Sequence, residues 1–209
     1  MTQNSTNNSS SGLTVGNLSI DTNTMSCLTG DFILNGNAAN SIVMKNGATT
    51  LLTINSSGLQ TIANNPGFMA RRVADVANVT GNGTVYAPVW TSTRFDTAGN
   101  FSAPNFTAPV TGKYFFTVSF TFAGLSVGMT AGYIKLVTSN RTYTKYGNPL
   151  ALEATVTITT GSLLLYTIAD MDIGDTASVE VSISGGTLTA DFKSFAIVIT
   201  SYFNGVLIS

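Results

Sequence analysis

The sequence contains no histidine. That excludes histidine-based nucleophilic triads, histidine metal ligands and imidazole proton shuttles. It holds one cysteine, Cys27, so no disulfide can close within the chain. The cross-linked framework of a small secreted domain is therefore missing. Cys27 sits in NTMSCLTG and reads as a small, half-buried side chain. Charge is also scarce: 9% of residues are Asp, Glu, Lys or Arg, against roughly 25% in ordinary soluble chains. Nine basic and ten acidic residues leave a net charge of −1, with no basic stripe to meet a nucleic acid. The adjacent basic pair, Arg71–Arg72, lies among apolar residues ahead of Asp75 and reads as a solvated or interface pair. No apolar run approaches the ~18 residues of a membrane span, so membrane insertion is not expected. The N-terminal MTQNSTNNSSSG lacks the basic and apolar segments of a signal peptide. Export inside a particle that is later released is the route expected for a protein acting outside a cell.

What is present is apolar or uncharged. Hydrophobic residues make up 44% of the chain, and Thr, Ser, Asn and Gly supply most of the rest. A lone globule wants surface charge for solubility. Its scarcity points to surface removed by self-association, or to an exterior of hydroxyls and amides.

Three regions follow from the pattern. Residues 1–12 are Ser/Asn-rich and cannot bury enough apolar area to offset the entropy of ordering. They are expected to be a flexible polar tail, suited to attachment to a larger particle. Residues 13–65 carry short β-prone phrases (LTVGNLSI, DFILNG, SIVMKNG, TLLTINSSG), each closed by Gly, Asn or Ser. Asn35–Gly36 and Asn46–Gly47 are tight-turn signals. With Phe32 as its one aromatic, this region is a poor core by itself. Three chains wound together would supply the missing partners, so an intertwined β-rich trimeric shaft is expected; an ordinary small β-domain or a linker is the alternative. Asn64–Asn65–Pro66–Gly67 marks a boundary. Residues 66–209 hold eleven of the twelve Phe, all seven Tyr and Trp90.

This last region reads as strands almost throughout: 68–76, 85–91, 100–101, 105–106, 112–123, 132–139, 152–159, 161–168, 176–184 and 192–208. KYFFTVSFTF (113–122) is crowded with aromatics, as a core strand would be. Its rings exceed what one small sandwich needs inside, so some are expected around a threefold axis. Val179, Val181 and Ile183 alternate with Glu180, Ser182 and Ser184, giving one apolar and one polar face. Residues 196–199 form a continuous apolar run, as in a strand buried on both faces. No helix-period stretch competes. The fold class is all-β, a sandwich or jelly roll.

The segment NFTAPVTGKYFF (105–116) carries the pattern Phe-Thr-x-Pro-x-x-Gly-x-Tyr-aromatic-Phe at Phe106, Thr107, Pro109, Gly112, Tyr114 and Phe116. It resembles the most characteristic segment of the globular head of complement C1q, in the tumour-necrosis-factor-like superfamily. Phe95-Asp96 with Gly99 is similar to that family's upstream strand and turn. GSLLLY (161–166), Ile173-Gly174-Asp175, Val179-Glu180-Val181 and the closing YFNGVLI (202–208) follow in the family's order. The resemblance covers about residues 68–209. It implies a ten-strand C1q/TNF-like jelly roll assembled as a homotrimer, with chain ends at the base and loops at the apex. The collagen-like stem and the disulfide of animal members are missing.

No catalytic constellation stands out. DMDIGD (170–175) is the acidic cluster. It reads either as an oxygen-ligand Ca²⁺ site or as a turn in which Asp175 accepts local amide N–H groups. The turn is favoured, and no metal or other cofactor is assigned. Paired carboxylates for glycoside hydrolysis could in principle come from Asp96 with Glu153, or Asp191 with Glu180. GLSVG (124–128) has the letters of a G-x-S-x-G elbow, but no histidine exists to serve as its base. A non-enzymatic protein is expected. Trp90, Arg94, Tyr133, Arg141, Tyr143, Lys145 and Tyr146 are candidates for glycan or protein contact, aromatics and Arg being favoured at hot spots. RTYTKYGNP (141–149) is expected to be an exposed binding loop, with Arg141, Tyr143, Lys145 and Tyr146 as its contact residues.

Together these readings suggest a homotrimeric virion fibre, of the bacteriophage kind, exposed on the particle surface. Its polar N-terminal region would attach to other virion proteins, and its head would adhere to a host-surface glycan or protein. A bacterial surface or spore-coat protein with the same head is the alternative.

Overall fold

The computed structural model describes residues 41–46, 48–150, 160–194 and 199–209. The expected polar tail, residues 13–40 of the expected shaft, the candidate strand at 152–159 and residues 196–198 of the apolar run lie outside the described residues.

β1 (Ile42–Asn46), β2 (Thr49–Ile54) and β3 (Gln60–Ile62) form an antiparallel meander. β1 and β2 close on the Asn46–Thr49 pair. Between β2 and β3, the Asn55 side chain accepts the N–H groups of Ser57 and Leu59, both at 2.9 Å. Gly58 there adopts φ +77°, a conformation open to residues without a Cβ. The sheet has no buried residue, and Val43, Met44, Leu51, Leu59 and Ile62 are all exposed. Among the described residues, none covers these side chains.

The remaining strands build two antiparallel sheets. The first is seven-stranded: β4 (Gly67–Arg71), β5 (Val76–Thr80), β7 (Ser92–Asp96), β10 (Gly112–Ala123), β13 (Gly161–Met171), β15 (Ala190–Lys193) and β16 (Tyr202–Leu207). β13 flanks one side of β10 along its whole length. On its other side β10 pairs first with β16, which leads to β4 and β7, and then with β15, which leads to β5. Buried Ser201 stitches this fork: its hydroxyl accepts the Thr121 N–H at 2.9 Å and donates to the Lys193 carbonyl at 2.8 Å. The second sheet is six-stranded. Its order is β12 (Thr142–Gly147), β11 (Ala131–Thr138), β14 (Thr176–Ser184), β9 (Asn105–Thr107), β8 (Phe101–Ser102), and β6 (Val85–Tyr86) also pairs with β14.

Strands pair in nested order, from neighbours in sequence to distant ones: β11 with β12, β10 with β13, β9 with β14, β4 with β16. This is a long hairpin rolled over so that its successive pairs fall alternately in the two sheets, which is the jelly roll expected from the sequence. The described residues contain no helix.

The core fills the space between the sheets. β10 alternates strictly: Tyr114, Phe116, Val118, Phe120 and Phe122 are all fully buried. The expectation that this strand holds more rings than one sandwich needs inside is corrected here. Every other residue points inward, so of the strand's five aromatics only Phe115 faces out. Phe68 sits at the centre of one cluster, stacked on Phe101 and Phe106 at 4.7 and 4.8 Å and edge-on to Phe203 at 4.8 Å. A second cluster joins Trp90, Phe120 and Phe192. Gly205 lies on β16 between Phe116 of β10 and Phe68 of β4, its register partners. A Cβ there would stand 2.6 Å from Phe116 and 2.8 Å from Phe68, so the missing side chain is what lets both rings lean over the strand.

Other expected bounds shift. The run 68–76 breaks after Arg71, and β5 begins at Val76. Asp75 holds the intervening bend to the end of β15, pairing with Lys193 and accepting the Ser194 N–H at 2.7 Å. The expected strand 85–91 is regular only at Val85–Tyr86. The span 192–208 is two strands, β15 and β16. The segment 141–149, expected as a loop, contains the edge strand β12.

Candidate functional site

Two surfaces of the sandwich carry unusual composition. The first is the outer face of the seven-stranded sheet. Register places Ile168, Phe115 and Val206 in one row across β13, β10 and β16. The next row holds Tyr166, Thr117, Asn204, Met69 and Phe95, and the one beyond holds Leu164, Ser119 and Tyr202. Tyr166 is 71% exposed, and Ile168, Leu164, Phe115, Val206 and Phe95 are exposed as well. No charged side chain lies in these rows on β13, β10 and β16, and on β4 the third row ends in Arg71, paired with Tyr202. Lys113 and Asp170 form the next row toward the base. Neighbouring exposed apolar side chains of this kind are a feature of interaction surfaces.

The second surface is the outer face of the six-stranded sheet. Tyr146 on β12, Tyr133 on β11 and Ser182 on β14 are direct cross-strand neighbours. The two rings meet edge to face, 6.1 Å apart at 72°. Lys135 lies 4.4 Å over the Tyr133 ring and 3.9 Å from Glu180, so its charge is matched within the same row. A groove of about 560 Å³ opens beside the pair, with Thr130, Ser182 and Ser184 on its walls.

The four contact residues expected from sequence are split between faces. Period-2 geometry turns Tyr146 outward, where it is 73% exposed. Tyr143 and Lys145 share the inward side with their register neighbours Leu136 and Ile134. Lys145 borders a small hollow beside Leu164, Leu165 and Tyr166 of β13. Arg141 pairs with Asp170, and the Tyr143 hydroxyl reaches the same carboxylate at 3.4 Å. Those two residues therefore tie the edge of one sheet to the edge of the other. Trp90 is 3% exposed and belongs to the core, which corrects its expected surface role. Arg94 lies exposed on β7.

The acidic segment forms a turn. Asp175 accepts the Asp172 N–H at 2.8 Å and the Asn140 amide at 2.6 Å, and Gly174 takes φ +90°. Asp96 caps its own turn through the N–H groups of Asn100 and Phe101 at 3.0 and 2.9 Å. Asp191 accepts the N–H of Asn78, a residue held at φ 54°. Glu153 lies outside the described residues. Sequence reasoning did not assign Ser182, Ser184 or Thr130 to a site, although the polar alternation along β14 had placed both serines on an outer face.

The arrangement is similar to the globular domain of zebrafish complement 1qA protein: 17% identity, 69% of this chain and 98% of that chain covered, TM-score 0.46. It is also similar to murine APRIL at pH 5.0, with 11% identity, 69% and 99% coverage and a TM-score of 0.47. The same protein at pH 8.5 gives 11%, 68%, 98% and 0.45. No family model and no curated protein matches the chain.

Proposed function

We propose that this chain is a structural fibre protein of a virus particle, of the bacteriophage kind, whose heads associate in threes and adhere to a host-surface glycan or protein. The observation that carries the reading is the largely apolar outer face of the seven-stranded sheet where β13, β10 and β16 lie side by side. Closing three such faces around one axis removes Tyr166, Ile168, Phe115 and Val206 from water without leaving an open, aggregating edge. The exposed apolar side chains of the β1–β3 meander favour the same arrangement, since neighbouring chains would cover what one chain leaves bare. The low charge of the chain fits a surface that is partly internal to an assembly.

The role is adhesive and structural, without catalytic turnover. Asp96, Asp191 and Asp175 each accept backbone N–H groups, and Glu180 faces Lys135; they serve turns and sheet faces. Three heads on one fibre can combine weak single contacts into firm attachment. The test is made on the particle and its host. Antibody to the head should decorate purified particles, and excess soluble full-length chain should block their adsorption. Particles that lack the protein, or adsorption indifferent to the excess, would overturn the reading.

A further inference from the structure

We propose that the corner formed by Tyr133 and Tyr146 on the six-stranded sheet is a binding site for a neutral saccharide. The inference rests on the adhesive reading above and gives that reading a place and a ligand class.

The argument starts from the two rings. A tyrosine face is electron-rich, and its edge is electron-poor. The axial C–H bonds of a pyranose present a weakly positive apolar face that lies flat on such a ring. Tyr146 stands 73% exposed at an edge strand, so its ring is open to a ligand. Tyr133 is fixed from one side by Lys135 at 4.4 Å and from the other by Tyr146 across the register. One ring thus acts as a floor and the other as a wall. Holding Tyr133 in place beforehand lowers the ordering cost of binding.

The groove beside them has the right size and the right chemistry. Its volume of about 560 Å³ falls within the roughly 300–1,000 Å³ of small-molecule sites. Besides the tyrosines, its walls hold Thr130, Ser182 and Ser184, and the remaining lining positions are glycine or alanine. Ser182 donates to the Gly83 carbonyl at 3.0 Å and Ser184 to the Ala131 carbonyl at 3.4 Å. With their protons committed, both hydroxyls offer lone pairs to incoming donors, which sugar hydroxyls supply. No lining residue is charged, and Lys135 is answered by Glu180. An anionic ligand would find no partner here, and a cationic one no acid in the groove. A polyhydroxylated neutral ring satisfies both halves of the surface.

In an assembly closed through the seven-stranded sheet, this face points away from the axis. Each of three copies would meet an external glycan, as weak open sites need if they are to act together.

The experiment titrates the full-length protein with neutral methyl hexopyranosides and N-acetylhexosaminides, followed by ligand-observed NMR. Sialic acid and glucose 6-sulfate are run alongside. At least one neutral sugar should bind, Tyr146→Ala should weaken it tenfold or more, and Tyr146→Trp should keep it. Tyr146 is an exposed edge residue, so its replacement leaves the core intact, and an unchanged thermal midpoint checks this. Binding by no neutral sugar, binding unmoved by Tyr146→Ala, or binding of the anionic sugars alone would overturn the proposal. So would a Tyr146-dependent peptide ligand with no sugar bound. The titration reads single sites and does not depend on trimer formation. Loss of adsorption blocking with sugar binding intact would count against the fibre reading alone.

Discussion

Replacing Gly205 with alanine tests whether the two sheets are packed as described. The new methyl would stand 2.6–2.8 Å from carbons of Phe116 and Phe68, well inside contact distance. Neither ring can simply swing away. Phe68 is held between Phe101 and Phe106 and braced by Phe203, and Phe116 lies against Tyr114 and Phe203. Overpacking of this kind costs about 1–3 kcal/mol. For a chain of this length each kcal/mol moves the midpoint by roughly 2–4 °C, so Gly205→Ala should melt about 2–12 °C lower. Phe116→Leu removes ring atoms from the collision and costs ~1–2 kcal/mol by itself. In the double variant it makes room for the methyl. The combined loss should therefore fall short of the sum of the single losses by at least ~0.5 kcal/mol. Denaturant unfolding at one fixed protein concentration measures all four proteins. Strict additivity, or a Gly205→Ala midpoint equal to wild type, would refute the packing around β16.

Other predictions concern charge and surface. Lys193 and the Ser194 N–H hold Asp75 below its ordinary value of 3.8. The stability it adds is present above that value and lost as pH falls through the lower folded one; an acid titration of Asp75→Asn should lose that part of the slope. Burial raises the hydroxyl pKa of Tyr114 and Tyr86 above the ordinary 10.0. Their contribution is intact below about pH 10 and disappears as pH rises through the raised values, so Tyr114→Phe should reduce alkaline unfolding seen by circular dichroism. That change also leaves the Val110 carbonyl without the Tyr114 hydroxyl at 2.7 Å, a cost of about 0.5–1.5 kcal/mol at neutral pH. Arg141→Ala breaks an exposed ion pair and should change stability by less than about 1 kcal/mol, measured by the same unfolding assay. Ile168→Glu with Tyr166→Glu should disperse the assembly while leaving the circular dichroism of a folded sheet, because both side chains point away from the core.

Much of the fold was legible because its signals are local. The β10 bounds 112–123 follow from aromatic density after a glycine, and the alternation of Val179, Val181 and Ile183 gives β14 its two faces. What the sequence hid depends on pairing. RTYTKYGNP carries no strong apolar alternation, so its strand character comes from hydrogen bonds to β11, which no local pattern reveals. That one fact decided the site, since a strand sends Tyr146 and Lys145 to opposite faces where a loop could have grouped them. The groove hydroxyls were equally hidden, because Ser182 and Tyr133 become neighbours only once β14 and β11 are in register. Crowding of aromatics in KYFFTVSFTF suggested rings to spare. The strict alternation of β10 and the gap above Gly205 accommodate them inside one chain.

The claim that most depends on the whole account is that one chain leaves the outer face of its seven-stranded sheet uncovered and needs two more to cover it. Sedimentation equilibrium of the full-length protein, run from nanomolar to micromolar concentration, measures this directly. The account predicts a mass three times the 21.8 kDa of the chain, falling toward one chain only for the Ile168→Glu, Tyr166→Glu variant. A wild-type protein that stays at 21.8 kDa, soluble and folded, across that range would contradict it.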